Sequence, residues 1–68
     1  MKKLKKNKWY SFNTKPDKTT YGIIGQTDMG YLCELCYEDG VWKEAYWENY
    51  KVYFKQMETG FFRWKIVS

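Results

Sequence analysis

The sequence predicts a mainly β protein, built as a small antiparallel sheet or barrel-like meander of five to six short strands. The first observation behind this prediction is the stretch Tyr31–Tyr46, YLCELCYEDGVWKEAY, in which Asp39-Gly40 separates two runs of strand-forming residues. Asp-Gly in that position favours a type I′ turn, because that turn needs positive φ at both central residues. We therefore expect a β-hairpin here.

The second observation is the alternation in Phe61–Val67, where Phe62, Trp64 and Ile66 occupy every second position and basic residues stand between them. Alternation of this kind is typical of a strand with one face in the core and the other in water. We therefore expect the last strand of the sheet here, with its apolar side chains on one face.

The remaining strands follow from local composition. Trp9–Asn13 is predicted to be a short aromatic strand, Thr19–Gln26 a central or near-central strand rich in β-branched residues, and Lys51–Lys55 another short strand. Gly22 and Gly25 predict a bulge or a close approach of another group. Turns are expected at residues 14–17, 28–30 and 56–60.

The segment Val41–Lys55 supports two interpretations. It contains no Gly or Pro, and its apolar residues also recur at helical spacing. We favour two strands with a turn near Glu48-Asn49, and one short helix within residues 41–55 is the alternative.

The number of aromatic residues is large for a chain of 68 residues. A domain of this size buries only about 60% of the surface that its unfolded chain exposes. Four Trp, seven Tyr and four Phe side chains, at roughly 150–250 Å² each, are hard to cover completely. Either some aromatic surface is exposed as a partner, oligomer or ligand site, or the Tyr rings lie half-buried with their hydroxyls in water.

The charge is unevenly distributed along the chain. Met1–Lys8 carries five lysines and is predicted to be a flexible basic tail, followed by a single β domain over residues 9–68. Asp28–Tyr50 has a net charge of −5, whereas Lys51–Ser68 has a net charge of +3. This polarity argues against a basic nucleic-acid footprint spread over the whole fold and suits self-association.

Cys33 and Cys36 have the spacing of half a zinc site or of a redox pair. The chain has no His and no further Cys to complete a zinc site, and positions three apart on a strand point to opposite faces. We interpret both cysteines as strand residues and predict no metal and no cofactor. The alternatives are zinc shared between two subunits and a redox motif.

The composition favours binding over catalysis. Without His, the chain lacks the usual general base that titrates near neutral pH, so we expect a protein that is not an enzyme. No apolar segment follows the basic tail as in a signal peptide, and no run approaches the ~20 apolar residues of a membrane span. We therefore expect no membrane partner, and because the two cysteines imply no disulfide framework, we expect a cytoplasmic protein.

Five residues are candidates for ligand binding. Aromatic rings stack on nucleic-acid bases at roughly 1–3 kcal/mol each, and Arg and Lys bind phosphates. The candidates, which indicate a small nucleotide ligand or a nucleic acid, are Trp47, Tyr50, Tyr53, Arg63 and Lys65.

The position of the Tyr31–Tyr46 hairpin in the sheet decides which surface is free. If the hairpin lies at an edge, its cysteines and the face with Tyr31, Leu35 and Tyr37 are the expected contact with a second subunit. If it is central, that face is core, and contacts are expected at Trp47–Tyr53 and the C-terminal strand.

The order of several residues also suggests a family. The relevant positions are Trp9, Pro16-Asp17, Tyr37–Trp42 (YEDGVW), Val52 and Phe62–Trp64. This order resembles a family of short phage and prophage domains of unknown function, with the pattern W…P..G..V…Y.DG.W…V..HW.PLP. Lys18 replaces a Gly of that pattern, and its closing His and Pro-Leu-Pro are absent. The resemblance, over Trp9–Lys65, implies a small antiparallel β domain of mobile-element origin, without catalytic residues to transfer.

These observations lead to a functional hypothesis. The chain is expected to be a non-enzymatic, phage-type interaction protein in the host cytoplasm. It would act as an anti-defence inhibitor by binding a host protein or sequestering a nucleotide signal, as a homo-oligomer. The alternatives are a single-stranded nucleic-acid-binding protein that uses the Lys tail and exposed aromatics, and a structural subunit of a larger complex.

Overall fold

A computed structural model describes residues 4–68, which form one open antiparallel sheet of six strands. The strand order across the sheet is β1-β6-β2-β3-β4-β5, so β1 and β5 form the two edges. The mainly β fold class is therefore confirmed. The strands are β1 Tyr10–Ser11, β2 Thr20–Gln26, β3 Leu32–Glu38, β4 Val41–Glu48, β5 Lys51–Gln56 and β6 Arg63–Ile66.

The hairpin predicted from Asp39-Gly40 is formed by β3 and β4. Asp39 and Gly40 have φ values of 52° and 80°, so both central residues of the turn adopt the left-handed conformation that a type I′ turn requires. Glu38 pairs with Val41 directly next to this turn. Since β3 and β4 are flanked by β2 and β5, the hairpin is central in the sheet.

A second hairpin joins β4 to β5, and the helix alternative within residues 41–55 is therefore wrong. Its two turn residues are Asn49 and Tyr50, with φ values of 52° and 63°. Glu48 pairs with Lys51, and Glu44 with Lys55, so opposite charges face each other directly across the two strands. Part of the charge polarity seen in the sequence is thus compensated within this hairpin.

The last strand, β6, lies between β1 and β2, far in the chain from both neighbours. Its central residue Trp64 stands opposite Tyr10 on one side and Gly25 on the other. This pairing brings the two ends of the chain together. It also confirms that β2 is an interior strand.

Both glycines of β2 have the roles that their position predicts. The pairing register between β2 and β3 shifts between Thr20 and Ile23, and Gly22 within this bulge has a φ of 71°. At Gly25, an added Cβ would overlap Cδ1 of Leu35 and lie 3.1 Å from Cδ1 of Phe61. The absence of a side chain at residue 25 therefore lets the core side chains approach the strand backbone.

The core lies on one face of β6, β2 and β3. Ile23, Leu35 and Trp64 are 0% exposed and form its centre. One row of directly opposite residues crosses five strands on this face, from core to open edge: Ile66, Ile23, Leu35, Glu44 and Lys55. The row changes from apolar to charged at β4, so β5 lies beyond the core. The partly buried side chains around the centre are Leu4, Tyr10, Phe12, Tyr37, Trp42, Met57, Phe61 and Ile66.

The segment between β5 and β6 folds back over the same face. The carboxylate of Glu44, which is buried, accepts hydrogen bonds from the backbone N–H of Glu58 at 3.3 Å and from the hydroxyl of Thr59 at 3.2 Å. Met57 and Phe61 on either side pack against the core. The buried carboxylate thus fixes the loop that closes the core.

Residues 4–8 of the predicted basic tail contact the domain. Leu4 packs against the core, and the backbone N–H of Asn7 donates a hydrogen bond of 2.7 Å to the carbonyl of Ile66. The backbone N–H of Lys5 donates to the hydroxyl of Tyr10, also at 2.7 Å. Residues 1–3, which carry two of the five lysines, lie outside the described residues.

A surface carboxylate on β3 couples stability to pH. Glu38 accepts hydrogen bonds from the ammonium of Lys43 at 2.6 Å and from the hydroxyl of Tyr21 at 2.5 Å. These bonds, the one from Lys43 first, lower the pKa of Glu38 below its ordinary value of 4.5. Since the pKa is lower in the folded state, the contribution to stability is present above the unfolded-state pKa and is lost as pH falls through the folded-state value.

We therefore expect Glu38→Gln to show a shallower loss of stability below pH 4.5 than the wild type. Urea unfolding midpoints measured stepwise between neutral and acid pH test this. The control is Asp28→Asn, which removes an exposed carboxyl group in the turn before β3. If the urea midpoints of the wild type and Glu38→Gln fall equally with decreasing pH, Glu38 is not the carboxyl group that causes the loss of stability in acid.

Candidate interaction site

The second hairpin, β4–β5, carries six exposed apolar or aromatic side chains. All six residues of β5 are exposed, and within residues 4–68 β5 pairs only with β4. The exposed apolar side chains of this hairpin are Val41, Trp47, Tyr50, Val52, Tyr53 and Phe54. Such a cluster, on a part of the sheet without a covering layer, is the usual signature of an interaction site.

The hairpin presents different chemistry on its two faces. Trp47 pairs with Val52 on the face away from the core, and Phe54 lies on that same face two residues further along β5. On the other face, the rings of Tyr46 and Tyr53 stack with their centroids 5.6 Å apart. One face is therefore apolar, and the other offers rings whose hydroxyls can reach water.

The tip of the hairpin carries a strained and fully exposed aromatic residue. Tyr50 is 99% exposed and has a φ of 63°, a conformation that costs an L residue roughly 1–2 kcal/mol relative to its ordinary one. Gly usually occupies this position of a type I′ turn. Because Tyr50 is almost fully exposed, packing within the described structure does not offset this strain. Such uncompensated strain suggests that the side chain has a functional role, for example in binding another molecule.

We expect Tyr50→Gly to raise the free energy of unfolding by about 0.5–1 kcal/mol, because glycine adopts this φ without strain but gains freedom in the unfolded chain. Tyr50→Ala is the matched control, since it removes the ring and keeps the strain, and it should change stability little. Thermal and urea unfolding of the three proteins provide the measurement. Equal stability of the Gly and Ala variants would show that the turn is not strained.

The two basic candidates lie at another place on the sheet. The guanidinium of Arg63 is 4.1 Å from the centroid of the Trp9 ring, and the ammonium of Lys65 is 4.7 Å from it. The Nε–H of Arg63 donates a 2.6 Å hydrogen bond to the side-chain oxygen of its cross-strand partner Gln26, which holds the guanidinium in one orientation. We call Trp9, Phe62, Arg63 and Lys65 the cationic surface.

The structure thus divides the five predicted ligand-binding residues into two groups. Trp47, Tyr50 and Tyr53 lie on the β4–β5 hairpin, with Trp47 and Tyr53 on opposite faces, whereas Arg63 and Lys65 lie on β6. Since β2, β3 and β4 separate β6 from β5, about 19 Å lie between these strands. One ligand of nucleotide size cannot contact both groups.

Some residues of these surfaces were not among the predicted candidates. Phe54 and Val52 were recognisable as strand residues, but only the pairing shows that β5 is an edge. The sequence places Trp9 in a predicted strand, and its position next to Arg63 depends on the long-range pairing of β1 with β6. The alternation in β5 indicates from sequence that Val52 and Phe54 share a face. No local sequence pattern indicates that Trp9 lies against Arg63.

The two cysteines have the properties of packed strand residues. Cys36 is buried and Cys33 half-buried, and both are free thiols. Burial, the first cause in each case, raises the pKa of both thiols above the ordinary value of 9.0, so both are protonated at neutral pH. Among residues 4–68, no three His, Cys, Asp or Glu side chains lie close enough to hold a metal ion.

Comparison with protein families, curated proteins and solved structures finds no match to this chain. The resemblance to small phage domains therefore stays a prediction. The described part of the chain also contains no helix of the length and hydrophobicity needed to cross a membrane.

Proposed function

We propose that this chain is a non-enzymatic interaction protein of the phage type, which inhibits a bacterial defence factor by binding a host protein with its β4–β5 hairpin. Self-association belongs to this proposal, as does action in the host cytoplasm. Sequestration of a nucleotide signal by the oligomer is the other form that the same activity could take.

One observation carries the proposal, namely the strained and fully exposed Tyr50 on the same hairpin as the exposed Trp47. Tyr and Trp are the residues most enriched at the centres of protein interfaces, where a few such anchors supply most of the binding energy. Trp47 is 74% exposed, so its indole ring is free to enter a pocket on a partner. Tyr50 lies in the two-residue turn at the end of the hairpin, and Trp47 lies on β4 near the same end.

The test begins with the tagged protein expressed in bacterial cells and purified with whatever it binds. Native mass spectrometry of this material identifies a bound host protein or a co-purified nucleotide. The identified partner is then purified, and its affinity is measured by calorimetry against wild type and Trp47→Ala/Tyr50→Ala. Loss of two anchor residues should weaken binding at least about 30-fold, corresponding to roughly 2 kcal/mol.

The matched control is Met29→Ala, which removes another exposed apolar side chain outside the hairpin. It should bind like the wild type. Equal affinity of the hairpin variant and the wild type would remove the hairpin from the proposal. Failure to bind any host protein or nucleotide in the purified system would overturn the proposal as a whole.

The cationic surface favours a second candidate function, the binding of single-stranded nucleic acid. Arg63 and Lys65 both lie against the ring of Trp9, and Phe62 beside them is exposed. An aromatic ring next to two cations matches the combination of base stacking and phosphate contact in single-strand binders. The lysines of the N-terminal segment would add phosphate contacts.

Fluorescence anisotropy with a labelled single-stranded oligonucleotide tests this candidate over a salt series. Arg63→Ala should weaken binding and reduce the slope of log K against log salt by about 0.7, the value for one phosphate contact on a single strand. Lys51→Ala, on the opposite edge of the sheet, is the charge-matched control. Absence of salt-dependent binding in the wild type rules this function out.

A further inference from the structure

The outer edge of β5 presents backbone groups in a regular row. The backbone N–H of Met57, just after β5, donates a 3.1 Å hydrogen bond to the carbonyl of Trp42 on β4. Because this direction alternates along a strand, Lys51, Tyr53 and Lys55 also face β4. The N–H and C=O groups of the residues between them therefore point away from the sheet; these residues are Val52, Phe54 and Gln56.

We infer that this edge pairs with β5 of a second copy of the chain, antiparallel and around a two-fold axis at Phe54, to give a continuous twelve-stranded sheet. The inference deepens the self-association included in the proposed function by naming its interface. A two-fold axis perpendicular to the sheet must pass beside one residue of β5, which then faces its own copy. Tyr53 and Phe54 are the two residues near enough to the middle of the strand.

The lysines of β5 decide between these two registers. With Tyr53 on the axis, Lys51 would stand directly opposite Lys55 of the second copy, twice in the dimer, which is unfavourable. With Phe54 on the axis, Lys55 stands opposite Tyr53 of the second copy. The stacked Tyr46 and Tyr53 rings then lie beside a cation from the partner chain.

Hydrogen bonding favours the same register. The axis at Phe54 places the outward-facing residues Val52, Phe54 and Gln56 opposite Gln56, Phe54 and Val52 of the second copy, which gives about six backbone hydrogen bonds. The axis at Tyr53 gives about four. Edge lysines are a common protection against uncontrolled strand addition. In β5 the lysines disfavour parallel pairing of two β5 strands, because each lysine would then face the same lysine of the other copy. They permit the antiparallel pairing around Phe54, which gives a closed dimer.

The apolar face of the hairpin also becomes continuous in this dimer. Phe54 lies on the same face as Trp47 and Val52, and the two-fold axis brings the Phe54 rings of both copies side by side. Two hairpins that each expose an apolar face are thereby joined into one surface. Tyr50 and Trp47 stay accessible on either side of the axis, so a partner can bind the dimer.

Sedimentation velocity of the purified chain alone, over a concentration series, tests this inference. The wild type should form a dimer, and Phe54→Lys should be monomeric because it places two ammonium groups opposite each other at the axis. Phe62→Lys is the matched control, since Phe62 is similarly exposed but lies next to β6, and it should remain dimeric. Circular dichroism at low concentration verifies that both variants fold.

A cysteine trap tests the register independently of the stability of these variants. In a background with Cys33 and Cys36 replaced by alanine, Phe54→Cys should form a disulfide-linked dimer under mild oxidation, because facing Cα atoms in such a pair are about 5.5 Å apart. Tyr53→Cys should cross-link much more slowly. The reverse order of rates would place the axis at Tyr53 and overturn the proposed register.

A monomeric wild type at all concentrations, or a Phe54→Lys variant that still dimerises, would overturn the interface. Because these measurements contain no host protein and no nucleotide, they are independent of the test of the proposed function. A monomer that binds its host partner would refute the dimer and the self-association in the proposed function, but would leave the inhibition of a host protein standing. A dimer that binds no partner would support the interface and refute the proposed inhibitor.

Discussion

Replacing Trp64 by alanine is expected to remove most of the free energy of unfolding of this protein. The side chain is 0% exposed and lies on β6 at the centre of the core, against the rings of Tyr10 and Trp42. Truncation of a buried Trp typically costs about 3–5 kcal/mol. Since small domains lie at the low end of the usual 5–15 kcal/mol of total stability, a loss of this size removes most of it.

The indole N–H of Trp64 adds a second contribution. It donates to the carbonyl oxygens of Ser11 at 3.1 Å and Thr14 at 3.0 Å, which holds the turn after β1 over the core. Trp64→Phe keeps most of the ring contacts and removes this donor, so we expect a smaller loss of about 1–3 kcal/mol. The difference between the Ala and Phe variants separates packing from hydrogen bonding.

Urea unfolding followed by circular dichroism provides the measurement for both variants. Trp47→Ala is the matched control, because it removes the same side chain from a site that is 74% exposed, and it should change stability by no more than about 0.5 kcal/mol. A loss below 1 kcal/mol for Trp64→Ala would mean that the core is not centred on β6.

Local rules were sufficient for the strands and for the first hairpin. The Asp39-Gly40 turn depends on the φ preferences of two adjacent residues, and the structure has both at positive φ as expected. The alternation around Trp64 likewise predicted which side of the last strand is buried, although Phe62 just before β6 is exposed. Information of this kind is contained within a few residues.

The second turn was harder to predict, because its residues are not those that the rule demands. Asn49-Tyr50 adopts the same backbone conformation as Asp39-Gly40, but a Tyr replaces the glycine. Without Gly or Pro, the segment Val41–Lys55 also fits a helix by spacing alone. The departure from the local rule coincides with the most exposed aromatic residue of the hairpin, where a functional constraint is expected.

Strand order was beyond local prediction, and the candidate site depends on it. The placement of β6 between β1 and β2 separates Arg63 and Lys65 from the aromatic residues of β4–β5. Pairing between distant parts of a chain is fixed by burial of the whole core, which no short pattern encodes. The sequence could therefore indicate the residue types of a binding surface but not which of them share one.

Gly25 is the position where a single added methyl group should have a large effect. Its Cβ would overlap Leu35 Cδ1 and lie 3.1 Å from Phe61 Cδ1, and Leu35 is 0% exposed. Overpacking of this kind typically costs about 1–3 kcal/mol. Gly60→Ala is the control, since a Cβ there meets no atom within 4 Å, and it should leave stability unchanged or slightly raised.

The structure also predicts that the effect of Gly25→Ala depends on the side chain at residue 35. Leu35→Ala alone should cost about 2–5 kcal/mol through the cavity that it opens. Because the new methyl group at residue 25 would occupy the space of the Leu35 side chain, Gly25→Ala/Leu35→Ala should be more stable than the sum of the single effects by at least about 0.5 kcal/mol. Strict additivity in a urea-unfolding double-mutant cycle would show that these two residues do not touch across β2 and β3.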